Sequence, residues 1–439
     1  FFSGDDGGSG INALVLDMSA AGAATFNSTV SATKFNGVGI SYNITNFAQS
    51  LLISNDAGTG TLSTASNNTG FGHEVFDDLT SGDQNTGVGS LALTKLTTGI
   101  NNTAIGTVAL TVTTTGSSNT AVGDNSLAAN TTASNNTAAG AAALTSNTTG
   151  SENTAVGRLA LNTNSTANNN TAVGHSSLGA NSTGSENQAF GTFSLALNAT
   201  GIQNTAVGYN SLGANTTAAN NAAVGFRALQ ANTTGTANTS LGSLSAKTMT
   251  TANSNTAIGF AALELATTGA NNTAVGSGTL RANTTGASNV AVGVSALNAN
   301  TTAAQNTAVG TFALDTTTTG AANTAIGYAA MDANTTGASN VAVGHLALDA
   351  NTTASNNTAV GKSALSANTT GNFNVAVGTS AGIAVTTGTF NALTGGQAGA
   401  ALTVGNENAA FGYNALVTDT KGSHSVAVGP YALQTQNFT

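Results

Sequence analysis

Apolar and polar positions alternate over a few residues, break, and return at one fixed interval. The recurring phrase is Asn-Thr-Ala-Val-Gly, seen at 119–123, 153–157, 204–208 and 306–310. Its glycine falls at Gly72, Gly89, Gly106, Gly123 and onward to Gly429, always 17 residues apart, giving 22 copies. Measured from that glycine, Asn stands four residues earlier in 21 of 22 copies and Ala two residues earlier in 18. An apolar residue, mostly Val or Ile, stands one residue earlier in 21 copies, and a large apolar residue, mostly Leu, four residues later in 19. Breaks in the Leu column fall at Ala246, Gly382 and Gly399. Ten residues after the glycine a second column holds only Gly or Ala through Gly422.

A period of 17 is too short for a helix pair, which needs about 33 residues or more. It fits one coil of a β-solenoid, where residue n lies over residue n+17 at the strand spacing of about 4.8 Å. The expected fold is therefore all-β: a parallel β-solenoid, or β-roll, of 17-residue coils. Like residues then stack in ladders. Asn119 and Asn153 belong to an amide ladder, in which each side chain donates and accepts along the stack. Gly123 and Gly157 supply a positive φ or a close approach at a corner. The Asn-Thr-Thr-Gly stretch reads as the opposite turn.

Side chains of Ala and Val in one strand point to opposite faces. The expectation here is that Val122 and Val156 fill the coil interior with Leu127 and Leu161, leaving Ala121, Ala155 and Ala172 to face outward. That Ala column varies as little as the Val column, so it is expected to be covered by other copies of the chain, in a homotrimeric fibre. A self-sufficient monomer with a flat Ala-rich face is the alternative. The repeat array spans 67–433. Residues 1–66 form a separate segment, with short strands expected at 11–18, 24–35 and 41–54 and a linker over 56–66. Residues 434–439 continue the array without a cap, so more chain or a partner is expected beyond Thr439.

Composition sharpens this picture. Of 439 residues, 40% are hydrophobic but only 6% are charged, with Lys+Arg 8 against Asp+Glu 17 and a net charge of -9. Ordinary domains carry about 25% charged residues. A ladder of like charges repels by about 1 kcal/mol per neighbour even in water, which accounts for the scarcity. No basic patch suits nucleic acid, and no apolar run reaches the roughly 20 residues needed to insert in a membrane as a helix. With no Cys, disulfides and thiolate metal sites are excluded.

Two resemblances follow from quoted segments. Asn340-Val341-Ala342-Val343-Gly344 followed by Ala347-Leu348, and 423–429 (SHSVAVG), resemble the head repeats of trimeric autotransporter adhesins, although 17 residues exceeds the adhesin repeat. That likeness implies a left-handed, trimeric parallel β-roll and binding to host surfaces. Residues 11–35 (INALVLDMSAAGAATFNSTVSATKF), followed by the NTAVG repeats, resemble marine bacteriophage tail-fibre proteins. That likeness implies a trimeric virion fibre with tail or baseplate proteins as partners, projecting a tip toward the host.

Candidate chemistry is sparse. His73, His175 and His345 share the column after the glycine, but six and ten repeats separate them, which reads as exposed His and not as a metal centre. Asp5/Asp6 and Asp77/Asp78 read as solvated loop acids in preference to calcium ligands. The glycine phrases lack the Lys and the setting of a phosphate loop. Asn-x-Thr sequons, as at 130–132 and 283–285, follow from turn and ladder chemistry. Ice binding is a third reading, weakened because the Thr pairs are adjacent at a turn and each strand has one Thr. No catalytic residue, metal site or cofactor is expected. Recognition is expected in the variable columns: Tyr209, Phe226, Phe260, Tyr328 and Tyr413 all follow the repeat glycine and suit contact with a host-surface glycan or protein. A bacterial surface adhesin or extracellular filament is the alternative to the phage fibre.

Overall fold

Each 17-residue unit closes one coil because its polar backbone groups find partners one period away. In a computed structural model, which describes residues 39–44, 47–54 and 62–436, one three-residue strand per coil stacks in parallel on the next. These strands run from β4 (Thr69–Phe71) to β25 (Val426–Val428). The register is the repeat itself: Thr120 pairs with Thr137, Ala155 with Ala172 and Val156 with Val173. At the strand spacing of about 4.8 Å, 22 coils make a rod about 100 Å long. Among the described residues there is no α-helix, and so none long and apolar enough to cross a membrane.

At the N-terminal end, β1 (Gly39–Ile44) and β2 (Phe47–Ser54) form an antiparallel hairpin, where the sequence suggested one strand over 41–54. β2 then lies parallel on β3 (Ala65–Ser66) and β4, with Leu51 opposite Thr69. The hairpin thus occupies the edge of the first coil, and the 56–66 linker contains a strand at its end. The expected strands at 11–18 and 24–35 lie outside the described residues.

Outside the strand the coil turns by visiting the left-handed region. Asn125, Leu127 and Asn135 have φ of 56°, 50° and 61°, and the pattern recurs along the rod. A left-handed residue with a side chain costs about 1–2 kcal/mol. Leu127 is held there by complete burial and by its backbone: its N–H donates to Ala143 O at 3.0 Å and its C=O accepts from Asn130 N at 3.1 Å. Gly123 has φ 134°, and a Cβ there would lie 2.7 Å from the carbonyl carbon of Gly140. Both the conformation and the close approach exclude a side chain, which explains the unbroken column.

Two amide ladders run through the interior. Asn119 Nδ2 donates to Asn102 Oδ1 (3.1 Å) and to Ala133 O (2.9 Å), while Asn102 Oδ1 also accepts from the Asn119 backbone N–H (3.0 Å). The second ladder is the Asn of Asn-Thr-Thr: Asn147 Nδ2 donates to Asn130 Oδ1 (3.1 Å) and to Gly150 O (2.8 Å). Asn119, Asn130, Asn147 and Asn153 are fully buried. Buried amides at this density are tolerated only because these bonds replace those to water.

The assignment of strand faces is corrected by the burial. Ala121, Ala155 and Ala172 are fully buried in their own coils, whereas Val122 and Val156 are each 39% exposed. The Ala column therefore forms the inner wall and is not an interface between chains. The coil is so thin that only a methyl fits opposite Leu127 and Leu161, both wholly buried. Where the inner residue is larger, the opposite wall retreats. Leu393 replaces Ala, and Gly382 and Gly399 replace Leu; a Cβ at either glycine would sit 2.8 Å from a Leu393 methyl. Ser240 likewise stands in the coil that has Ala246 in the Leu column, and its hydroxyl bonds to Ser245 O at 3.0 Å.

Candidate functional site

Three of the coil's outward-facing surfaces bear on function, and each is a ladder. The first is the outer face of the strands, made of the residues one and three before the repeat glycine. It holds Val122 and Thr120, Val156 and Thr154, Ile326 and Thr324, and their counterparts in every coil. Neither of these two columns contains a charged residue in any of the 22 copies. Many large apolar side chains in this face are more than a third exposed, among them Ile105, Val122, Val156, Leu241, Ile326 and Phe411, and others such as Val173 and Val207 are half-buried. Single exposed apolar residues are ordinary, but a contiguous stripe is not.

The second surface is the Thr-Thr turn. The first Thr of each pair turns its hydroxyl back to the rod, as Thr97 Oγ1 donates to Thr114 O (3.0 Å) and Thr131 Oγ1 to Thr148 O (3.1 Å). The second Thr is exposed and repeats without interruption from Thr98 to Thr387. One hydroxyl column, not two, therefore faces water at this turn.

The third surface begins just after the repeat glycine. Tyr209, Phe226, Phe260, Tyr328 and Tyr413 are all exposed there. The rod brings several of them into contact with rings from adjacent coils. Tyr209 stacks on Phe226 (5.6 Å between centroids, 16° between planes), and Phe193 meets Tyr209 edge-on at 6.2 Å. Tyr328 stacks on His345 at 5.3 Å and meets Phe312 edge-on at 6.0 Å, while Tyr413 meets Tyr431 at 5.5 Å. Phe260 makes no such ring contact among the described residues. Phe193, Phe312 and Tyr431 sit one residue later in the repeat than the aromatics singled out in the sequence. Their residue type was visible, but pairing across two columns depends on the left-handed turn.

The remaining ionisable groups are scattered along the rod. Asp78 pairs with Lys95 (3.1 Å), Glu264 with Arg281 (2.7 Å) and Glu407 with His424 (3.3 Å), each pair one coil apart. His73 lies 3.6 Å from Glu74, and His175 accepts at Nε2 from Arg158 Nη1 at 3.2 Å. Asp5 and Asp6 lie outside the described residues. Asp315, Asp332 and Asp349 occupy one column in three successive coils. Burial pushes all three carboxyls above their ordinary value, and the charge of Asp332 adds to the rise at Asp315 and Asp349. One oxygen each of Asp315 and Asp349 is shielded with no hydrogen-bond partner. Among the described residues no group of three or more His, Asp and Glu is placed to hold a metal ion.

No protein-family model matches the chain, and no curated protein matches it.

Proposed function

We propose that this chain is a non-enzymatic fibre shaft whose copies associate side by side, as a homotrimer, through the Thr-x-Val outer face of the strands. One observation carries the reading: that face runs the length of the rod with no charge and with one large apolar residue in nearly every coil. Its area supplies the apolar centre of such contacts. A rod about 100 Å long and three residues wide, at about 3.3 Å per residue, offers about 1,000 Å². A trimer divides that area between two neighbours, about 500 Å² each, so columns flanking the stripe complete the roughly 800 Å² per partner of a stable interface. A lone rod would leave that stripe in water, and three rods about a common axis would cover it while leaving the aromatic rows outside.

The resemblance of residues 11–35 to bacteriophage tail-fibre proteins favours a virion tail fibre that projects a receptor-binding tip. A bacterial surface adhesin or extracellular filament is the alternative. Sedimentation equilibrium of the purified chain tests the assembly. A trimer is expected, and the combined variant Val122→Lys, Val156→Lys, Val173→Lys should lower the association while keeping the wild-type circular dichroism. A wild-type monomer, or an unchanged trimer in the Lys variant, would refute the proposed face. Immunogold labelling of particles and cells separates virion from cell-surface placement.

A further inference from the structure

Between coils 157 and 242 the surface after the repeat glycine differs from the rest of the rod. A row of rings, His175, Phe193, Tyr209 and Phe226, crosses four successive coils in mutual contact. Beside it lies an open dent of about 270 Å³, walled by Phe193 and Leu197 and by the amide side chains of Asn210 and Gln230. Gly213 forms part of its floor, and a Cβ there would collide with the Asn210 amide. Small residues at 196, 213 and 214 leave the dent open where larger side chains would fill it.

Charge distinguishes this stretch further. The chain has eight cations and a net charge of -9. Yet across the four columns that form this surface, from Arg158 to Thr248, there are three cations, Arg158, Arg227 and Lys247, and no Asp or Glu. Arg227 lies over the Phe226 ring at 5.1 Å, and its Nε is shielded from water without a hydrogen-bond partner. Lys247 follows Gln230 in the column that lines the dent, and Glu264, next in that column, is paired with Arg281 at 2.7 Å. Glu186, in the same stretch of rod, stands on a different wall and accepts from Gln203 Nε2 at 2.9 Å.

We propose that this surface is a binding site for an acidic saccharide, a glycan carrying carboxylate groups. Tyr209 and Phe226 turn their faces toward each other, so their outward edges, with the Phe193 and Leu197 wall of the dent, supply the apolar surface that meets the C–H groups of pyranose units. Asn210 and Gln230 supply amide donors and acceptors at the rim, and the Arg227 guanidinium has free donors in the fork geometry that carboxylates accept. A neutral glycan would leave the Arg227 guanidinium unused, which is why the charge selects the acidic class. The proposal deepens the fibre reading by locating recognition on the shaft, and it rests on that reading for its biological setting.

Isothermal titration of the full chain tests it with hexagalacturonate and sialyllactose, with their neutral counterparts hexagalactose and lactose, and with oligothymidylate. At least one acidic saccharide is expected to bind more tightly than its neutral counterpart, with affinity falling as salt rises. Tyr209→Ala and Phe226→Ala are each expected to weaken it about tenfold or more. Arg227→Gln should bring the acidic ligand toward the affinity of the neutral one. Tyr209 and Phe226 are exposed and Arg227 is half-buried, and circular dichroism verifies that each variant folds. No binding by either acidic saccharide, equal binding of the neutral ones, indifference to Tyr209→Ala, or preference for oligothymidylate would each overturn the site. Sedimentation of the same samples keeps the two readings apart: a binding monomer removes the trimer and keeps the site, and a non-binding trimer does the reverse.

Discussion

The Cδ2 methyl of Leu393 occupies the space that a side chain at Gly399 would need, since a Cβ there would lie 2.8 Å away. Everywhere else in this part of the rod, Ala faces Leu across the coil. Here the sizes are exchanged, with Gly382 yielding from the coil below as well. The interior therefore conserves volume and not residue identity. Leu393→Ala alone is expected to destabilise by about 2–4 kcal/mol through the cavity it leaves. Gly399→Leu alone should overpack the coil. The two together should recover part of the loss, because neighbouring core residues are coupled. Thermal unfolding of the two single variants and the double measures that coupling, and strict additivity would contradict the packing described.

Asn119 links three coils. Its side chain donates to Asn102 and Ala133 and accepts from the backbone and amide of Asn136 at 3.1 and 3.3 Å. Asn119→Ala leaves buried donors and acceptors without partners, at a cost of about 3 kcal/mol. Solenoid coils interact with their nearest neighbours, so hydrogen exchange should accelerate first around residues 102–136. Asn125→Ala is the control: Asn125 is on the surface, Ala142 already occupies the next position in its column at φ 57°, and the change should stay within about 0.5 kcal/mol.

Gly150 stands between Ala133 and Ala167 in the second Gly/Ala column, where no two Ala are ever stacked. A Cβ at Gly150 would meet the Ala167 carbonyl and lie 2.6 Å from Asn147 Oδ1. Gly150→Ala is expected to destabilise by about 1–3 kcal/mol. The reverse change, Ala167→Gly, should be far milder. Denaturant unfolding of both variants gives the comparison.

The Asp315, Asp332 and Asp349 column makes stability depend on pH. Each carboxyl holds its proton more tightly folded than unfolded, because burial raises it above 3.8. Stability from this segment is therefore highest in acid and falls as pH rises from 3.8 through the raised folded values. Asp332→Asn removes the middle charge. With these groups half-exposed and screened, the gain at neutral pH is about 0.5 kcal/mol and should vanish in acid. Melting curves across pH read both the gain and its disappearance.

Much of this fold is legible in the sequence. The period, the Asn119 ladder, the corner at Gly123 and the burial of Leu127 all follow from stacking like on like, and a one-residue slip would have broken every column at once. The structure reverses the expected faces of Ala121 and Val122. Alternation places them on opposite sides but does not say which is inside, and both columns are apolar and uniform. The deciding signal was present in the exceptions: Leu393 near Gly382 and Gly399, and Ser240 near Ala246, are exchanges of size that only residues sharing a wall gap would make. The second amide ladder at Asn130 and Asn147 was hidden because Asn-Thr-Thr also reads as a turn. The ring contacts of Tyr209 and Phe226 depended on left-handed residues such as Arg227 (φ 54°), which no alternation pattern reveals.

The chain contains no cysteine, so paired spin labels can be placed without background. Thr107 and Ser277 are exposed, occupy the same column and stand ten repeats apart. Electron–electron distance measurement on Thr107→Cys with Ser277→Cys, diluted in unlabelled chain, should give one narrow peak near 48 Å, ten strand spacings. Moving the second label to Val294→Cys should lengthen it by about 5 Å. A broad distribution, or a distance that does not grow by one strand spacing per repeat, would contradict the stacking of successive 17-residue coils.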